Sequence, residues 1–128
     1  MVAKLYNPYR DAAGQWVRGS FHGHCNEHSA CASVPLDQSV TWYKEVGAGF
    51  ITLTDHDFIT DLDPIQIRHP DMAFVQGFEY SSRENVVFAG PGIGPLYELP
   101  LEQALAQADS IFTMICHPWP LEGKRDYW

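Results

Sequence analysis

Short β-rich runs alternate along this chain with segments of helical period, and four of the five runs end in histidine or acidic residues. The first run covers residues 16–22, and a loop of small and polar residues follows over 24–34. Pro35 then opens a helical pattern. Leu36, Val40, Tyr43 and Val46 form one apolar stripe on it, and Gly47 and Gly49 close it. Residues 50–54 (FITLT) make the second run, rich in β-branched side chains. Residues 58–72 are expected to be loop with one helical turn. The third run spans 73–80, the fourth 85–89 and the fifth 111–116. A Gly-Pro-rich link and a short helix after Pro100 separate the last two. The order strand, helix, strand, strand, strand, helix, strand predicts an α/β fold with a mostly parallel sheet.

In such folds functional residues gather where the carboxyl ends of the strands come together on one side. Here those ends carry His22 and His24, then Asp55, His56 and Asp57, then Glu79, and last His117. The His22-Gly23-His24 spacing has a period of two, so on an extended strand both imidazoles face one side and can chelate one ion. Glu79 offers two oxygens and can bridge two ions. Imidazole and carboxylate donors suit Zn²⁺, Mn²⁺ and Fe²⁺ without any sulfur ligand. Each motif taken alone also has an ordinary reading as a surface pair, a turn or a solvated acid. Their joint placement at strand ends favours a metal centre. His28, in the loop after His24, is an open candidate for a further ligand. His69 reads as an exposed loop residue. Cys116 is expected to face away from His117 into an apolar layer, and neither it nor Cys25 is counted among the ligands.

Bulk properties narrow the partners. Sixteen acidic residues against eight basic give a net charge of −8. That charge disfavours a nucleic-acid surface or an anionic membrane, and leaves a small anionic substrate that metal ions would draw in. Three cysteines without a CxxC pair argue against a disulfide framework. With no apolar leader and no run of ~18 apolar residues, they point to the cytoplasm.

Four segments, WVRGSFHGH (16–24), GAGFITLTDHD (47–57), VQGFEYSS (75–82) and ICHP (115–118), resemble the polymerase-and-histidinol-phosphatase (PHP) family of metal-dependent phosphoesterases in order and spacing. The second is the most specific. The resemblance covers about residues 16–120. It implies a distorted, TIM-like β/α barrel with up to three divalent ions at the strand ends. His22 and His24 would hold one ion with Glu79. Glu79 would bridge to a second ion bound by His117. His56 would hold a third, helped by His28, and Asp55 beside it is a further candidate ligand. Asp57 is the candidate catalytic residue that orients His56. Some family positions differ. Ser20 stands where an acid is common, His28 and Ser29 where an aspartate is usual, and Asn85 where a histidine often opens the next strand. A late Asp-x-His pair has no counterpart.

The expected reaction is metal-assisted hydrolysis of a small phosphate ester. Arg83, four residues after Glu79, is a candidate phosphate clamp, although a surface arginine would look the same. The same centre would also serve a carboxylic ester, carbamate or amide, and a non-catalytic metal-binding module remains a third reading. A polymerase-associated proofreading role fits the acidic balance poorly. A full β/α barrel takes roughly 200 residues or more, so 128 residues are expected to form its N-terminal part. The open strand edge that results predicts self-association into a homo-oligomer.

Overall fold

A computed structural model of the chain describes residues 7, 9–10, 13–82 and 84–117. Among these residues five strands and three α-helices follow the order β1 (Gly19–Ser20), α1 (Leu36–Glu45), β2 (Phe50–Leu53), α2 (Asp63–Arg68), β3 (Ala73–Tyr80), β4 (Val86–Ala89), a 3-10 turn (Leu96–Glu98), α3 (Leu101–Ala106) and β5 (Phe112–Ile115). They build one mixed sheet with strand order β1-β2-β3-β4-β5, curled into half a barrel. The curl brings the two outer strands together. Phe21, just past β1, lies 5.1 Å from Phe112 on β5, ring centre to ring centre. Among the described residues, no helix is long and apolar enough to cross a membrane.

The sheet is less parallel than the sequence suggests. β1, β2 and β3 run parallel, but β4 is antiparallel to both β3 and β5. Chain length explains the reversal at β4. Only residues 81–85 join β3 to β4, and a parallel crossover needs a dozen or more. With β4 reversed, β5 points the same way as β3. The carboxyl ends of β1, β2, β3 and β5 therefore share one rim, and β4 contributes its amino end, Asn85, to that rim. α2 is also longer than the single turn expected, because Asp63 and Pro64 start it favourably and Ile65 anchors it in the core.

β1 is shorter than the run 16–22. It pairs only through Gly19 and Ser20, opposite Phe50 and Ile51. Among the described residues no strand pairs its outer side, and Trp16 and Val17 are exposed. Beyond Ser20 the chain leaves the ladder and rejoins it through Thr54, whose amide donates to the Gly23 carbonyl at 2.9 Å.

Side-chain alternation sorts the sheet into two faces. Ile51 and Leu53 of β2 pack with Val40 of α1, Ile65 of α2 and Met72. Phe78 and Tyr80 of β3 pack with Val86 and Phe88 of β4 and with Ala104 of α3. The opposite face takes the intervening residues, Thr52, Gly77 and Glu79, with Val87 and Ala89 beside Cys116. That face is tight. A Cβ on Gly77 would come 2.6 Å from the Phe88 carbonyl oxygen. α1 has no side-chain cap of its own residue. Glu27 takes that part, accepting from the Leu36 amide at 3.1 and 3.2 Å and placing negative charge at the helix start.

Candidate metal centre

Glu79 lies at the middle of the rim. It is the seventh residue of the eight-residue β3, points to the concave face and is 0% exposed. Backbone pairing continues past β2 at this level. The Glu79 amide donates to the Asp55 carbonyl at 3.0 Å, and the Asp57 amide donates to the Glu79 carbonyl at 2.9 Å. His56 is thereby bridged in parallel to Glu79. Asn85 donates from Nδ2 to Glu79 Oε1 at 2.6 Å. The other oxygen, Oε2, is buried and has no hydrogen bond. Three imidazole nitrogens surround it: His24 Nε2 at 3.0 Å, His22 Nε2 at 3.5 Å and His56 Nδ1 at 3.5 Å.

Hydroxyl groups fix the three imidazoles. The Thr54 hydroxyl donates to the Gly23 carbonyl, which leaves its oxygen to accept from His22 Nδ1 at 3.1 Å. The Ser29 hydroxyl donates to Asp55 at 2.7 Å and faces His24 Nδ1 at 3.4 Å. The Ser81 hydroxyl donates to Asp57 at 2.9 Å and accepts from His56 Nδ1 at 3.1 Å. In each case the hydroxyl's only proton is committed elsewhere. Nδ1 of each ring therefore carries the hydrogen, and Nε2 keeps a free lone pair. Orienting a ring through the nitrogen opposite the donor is how metal-ligating histidines are usually held.

The free lone pairs converge. His22 Nε2 and His24 Nε2 are 3.3 Å apart, and with Glu79 Oε2 they form a triangle of 3.0, 3.3 and 3.5 Å edges. A tetrahedral ion with bonds of ~2.0–2.1 Å spaces its ligand atoms about 3.3–3.4 Å apart. The triangle thus has the dimensions of one face of such a site. Two lone pairs and a carboxylate oxygen at this separation repel one another, and a cation between them removes the repulsion. Among the described residues two sets of three donors each have their ligand atoms within 4.8 Å of one another, His24, Cys31 and His56 in one and His22, Glu79 and Cys116 in the other.

Protonation states agree with this. Burial holds His22 below its ordinary value of 6.5, against the opposing pull of Glu79 and with further lowering from His24, His117 and His56. Burial by itself would raise Glu79, but the contact with His24, the hydrogen bond from Asn85 and the charges of His22 and His56 outweigh it and push it down to about 2. At neutral pH the centre therefore offers a neutral imidazole and an ionised carboxylate, the forms that bind metals.

The remaining candidates take different places. His117 stands at the edge of the site, 64% exposed by side chain, with Nε2 4.0 Å from Glu79 Oε1 and its ring 5.6 Å from that of His22. Asp57 touches no imidazole. It reaches His56 through Ser81, whose amide and hydroxyl it accepts at 3.0 and 2.9 Å, so it positions that ring indirectly. Asp55 is 0% exposed and fully engaged away from the converging nitrogens. It accepts from the Cys25 amide at 2.9 Å, Ser29 at 2.7 Å, Thr60 at 2.8 Å and the Cys25 thiol at 3.2 Å. Those hydrogen bonds outweigh burial and hold its carboxyl below 3.8. His28 is exposed and stacks on Phe58 at 4.1 Å, outside both donor sets. His69 is half-buried rather than exposed, because Asp37 engages it at 3.1 Å. Arg83 lies outside the described residues.

Two cysteines stand closer to the centre than the sequence indicates. Cys116 does pack in an apolar layer, with Val87 and Ala89, but that layer is on the face of Glu79. Burial, then the Glu79 charge, pushes its thiol up to about 11. Cys31, which no local motif marks, brings Sγ to 3.3 Å from His56 Nε2. Cys25 is a buried thiol raised to about 12 by burial and then by Asp55. Beside His24 and Cys31 opens a cleft of about 520 Å³, walled by Val34, Trp42, Tyr43 and Val46, and among the described residues no lysine or arginine lines it.

No protein-family model matches the chain, and no curated protein matches it. The chemistry of the donors themselves is what any functional reading of this centre rests on.

Proposed function

We propose that this chain is a metal-dependent phosphoesterase of the PHP type that hydrolyses a small phosphate ester. The observation that carries the reading is the convergence of His22 Nε2 and His24 Nε2 on a buried carboxylate oxygen without a hydrogen bond, Glu79 Oε2. His22, His24, His56 and Glu79 would hold the ions, with His117 at the open side. When bound, divalent ions supply Lewis acidity that makes water nucleophilic at neutral pH and neutralises the substrate's anionic oxygens. That charge matters in a chain of net charge −8, which otherwise repels a phosphate.

The chain's own residues do the rest. Thr54, Ser29 and Ser81 hold the three rings at a fixed tautomer and angle, so little reorganisation is needed on binding. Glu79 keeps its charge because Asn85 and the imidazoles compensate it. The cleft beside His24 receives the leaving group against Trp42 and Tyr43, an apolar wall that suits an aromatic or alkyl alcohol.

That uncharged wall also favours a second reading, hydrolysis of a carboxylic ester, carbamate or amide. An aryl phosphate and the matching aryl acetate, offered to Zn²⁺- or Mn²⁺-loaded protein and to the His22→Ala/His24→Ala variant, separate the two. The proposal expects phosphate turnover that the variant loses. Turnover of the acetate alone would move the assignment to the second reading. Bound metal with neither turnover would leave a non-catalytic metal-binding module.

A further inference from the structure

The donor set of His24, Cys31 and His56 contains a thiol that the phosphoesterase reading does not need. Cys31 sits seven residues after His24 in a loop that turns on itself, with the Ser29 amide donating to the Cys25 carbonyl at 2.9 Å and the Ala32 amide to the Ser29 carbonyl at 3.0 Å. The loop is tied to the end of β2 at Ser29, which donates to Asp55 and accepts from the His56 amide at 3.2 Å. This tie brings Cys31 Sγ to 3.3 Å from His56 Nε2. Ser81 holds the other nitrogen of that ring, so a lone pair faces the sulfur.

We propose that Cys31 binds as a thiolate, with His24 and His56, to a zinc ion beside the one held at Glu79. This inference rests on the metal reading above and names the metal class. With bonds of ~2.3 Å to sulfur and ~2.0–2.1 Å to nitrogen, a tetrahedral ion separates a sulfur from a nitrogen ligand by about 3.5 Å, close to what Cys31 and His56 show. The buried Glu79 Oε2, which has no hydrogen bond, lies 3.5 Å from His56 Nδ1 and places negative charge next to the site. With a second ion present, His24 joins this set. The neighbouring ion keeps His22 and Glu79, and His117 completes it from the rim. Cys116 is the other sulfur near the centre. It approaches His22 at 3.9 Å through Nδ1, the nitrogen that Thr54 already engages, and not through the lone pair at Nε2. A thiolate ligand biases a site of imidazoles towards Zn²⁺ and away from Mn²⁺.

Cobalt(II) is the probe, because sulfur bound to it gives an intense near-ultraviolet charge-transfer band that nitrogen and oxygen ligands do not. Wild type, Cys31→Ser and Cys116→Ser are titrated with Co²⁺ and then competed with Zn²⁺ and Mn²⁺. The inference expects the band in wild type and in Cys116→Ser, and its loss in Cys31→Ser while cobalt still binds at His22 and Glu79. Zn²⁺ affinity of the serine variant at the second site should drop roughly 100-fold or more, beyond the 10–100-fold expected from losing a residue that only supports a ligand. Mn²⁺ affinity should change little. Cys31 is exposed, so the variant should melt like wild type without metal. Cobalt bound with no sulfur band in wild type overturns the inference and leaves the metal reading standing, with Cys31 then only a hydrogen-bond partner of His56. A band lost in Cys116→Ser and kept in Cys31→Ser overturns it in favour of the other sulfur. No cobalt uptake by wild type overturns both the inference and the metal reading.

Discussion

Replacing Asp55 by alanine should damage the fold and spare the ligands. Its carboxylate is completely buried and accepts from the Cys25 amide, Ser29, Thr60 and the Cys25 thiol. Alanine removes the acceptor and leaves three strong donors in a dry site. An orphaned buried donor costs about 1–3 kcal/mol. The hydroxyls of Ser29 and Thr60 can turn and recover part of that, whereas the Cys25 amide cannot, so a total of about 3–5 kcal/mol is expected. For a domain of this size each kcal/mol lowers Tm by roughly 3–5 °C, which predicts a fall of roughly 10–20 °C in metal-free protein. Asparagine should cost less, about 1–2 kcal/mol, because its oxygen still accepts from Cys25 and Ser29 and its amide can donate to a rotated Thr60. Calorimetry of the two variants, with metal binding measured well below their melting points, tests this. The reasoning is refuted if Asp55→Ala melts within ~2 °C of wild type yet fails to bind metal. Asp55 would then be a ligand and not a strut.

Acid should destabilise the metal-free protein in two stages. Asp55 and Glu79 have folded values below their ordinary 3.8 and 4.5, so their stabilisation is complete above those values and lost as pH falls towards 2. His22 is also depressed, so the unfolded chain takes up its proton first and stability begins to decline below about pH 6.5. Urea midpoints should be flat between about pH 7 and 8, fall gently to about pH 4.5 and fall steeply below it, and a midpoint that rises on acidification from about pH 7 would contradict these shifts. Gly77→Ala should cost about 2 kcal/mol or more, read as a lower Tm, because the new methyl meets the Phe88 carbonyl at 2.6 Å. If the cleft takes the leaving group, Trp42→Ala should raise KM for an aryl substrate roughly 10-fold with kcat nearly unchanged, and an equal loss in both would place Trp42 elsewhere in the reaction.

Much of this arrangement is legible from the sequence. The apolar run 73–80 coincides with β3, and the helical stripe from Leu36 coincides with α1. These elements are decided by local patterns, and the polar residues after β1, β2, β3 and β5 fall on one rim because those four strands point the same way. Two further features follow from spacing alone. Five residues between β3 and β4 are too few for a crossover, so the reversal of β4 was implicit in the spacing. The period-two rule that pairs His22 with His24 also puts Asp55 on the opposite side from Thr54 and His56, and so away from the ligands.

Other features depend on three-dimensional folding and have no local signature. Cys31 reaches His56 only because Ser29 ties its loop to Asp55. The roles of Thr54, Ser29 and Ser81 appear only when their protons can be followed from partner to partner. β1 is short at an edge position, where among the described residues no strand lies on the outer side of Trp16 and Val17, and β propensity cannot register such a position.

The central claim is that imidazoles from separate strand ends and Glu79 form one metal centre. Elemental analysis of the purified protein beside His22→Ala/His24→Ala tests it most directly. The account predicts at least about one equivalent of Zn, Mn or Fe per chain, lost in the double variant while the fold is retained. A wild-type protein that carries no metal and takes up none from excess would contradict it. The converging nitrogens around Glu79 would then be a protonated hydrogen-bond network and not a metal site.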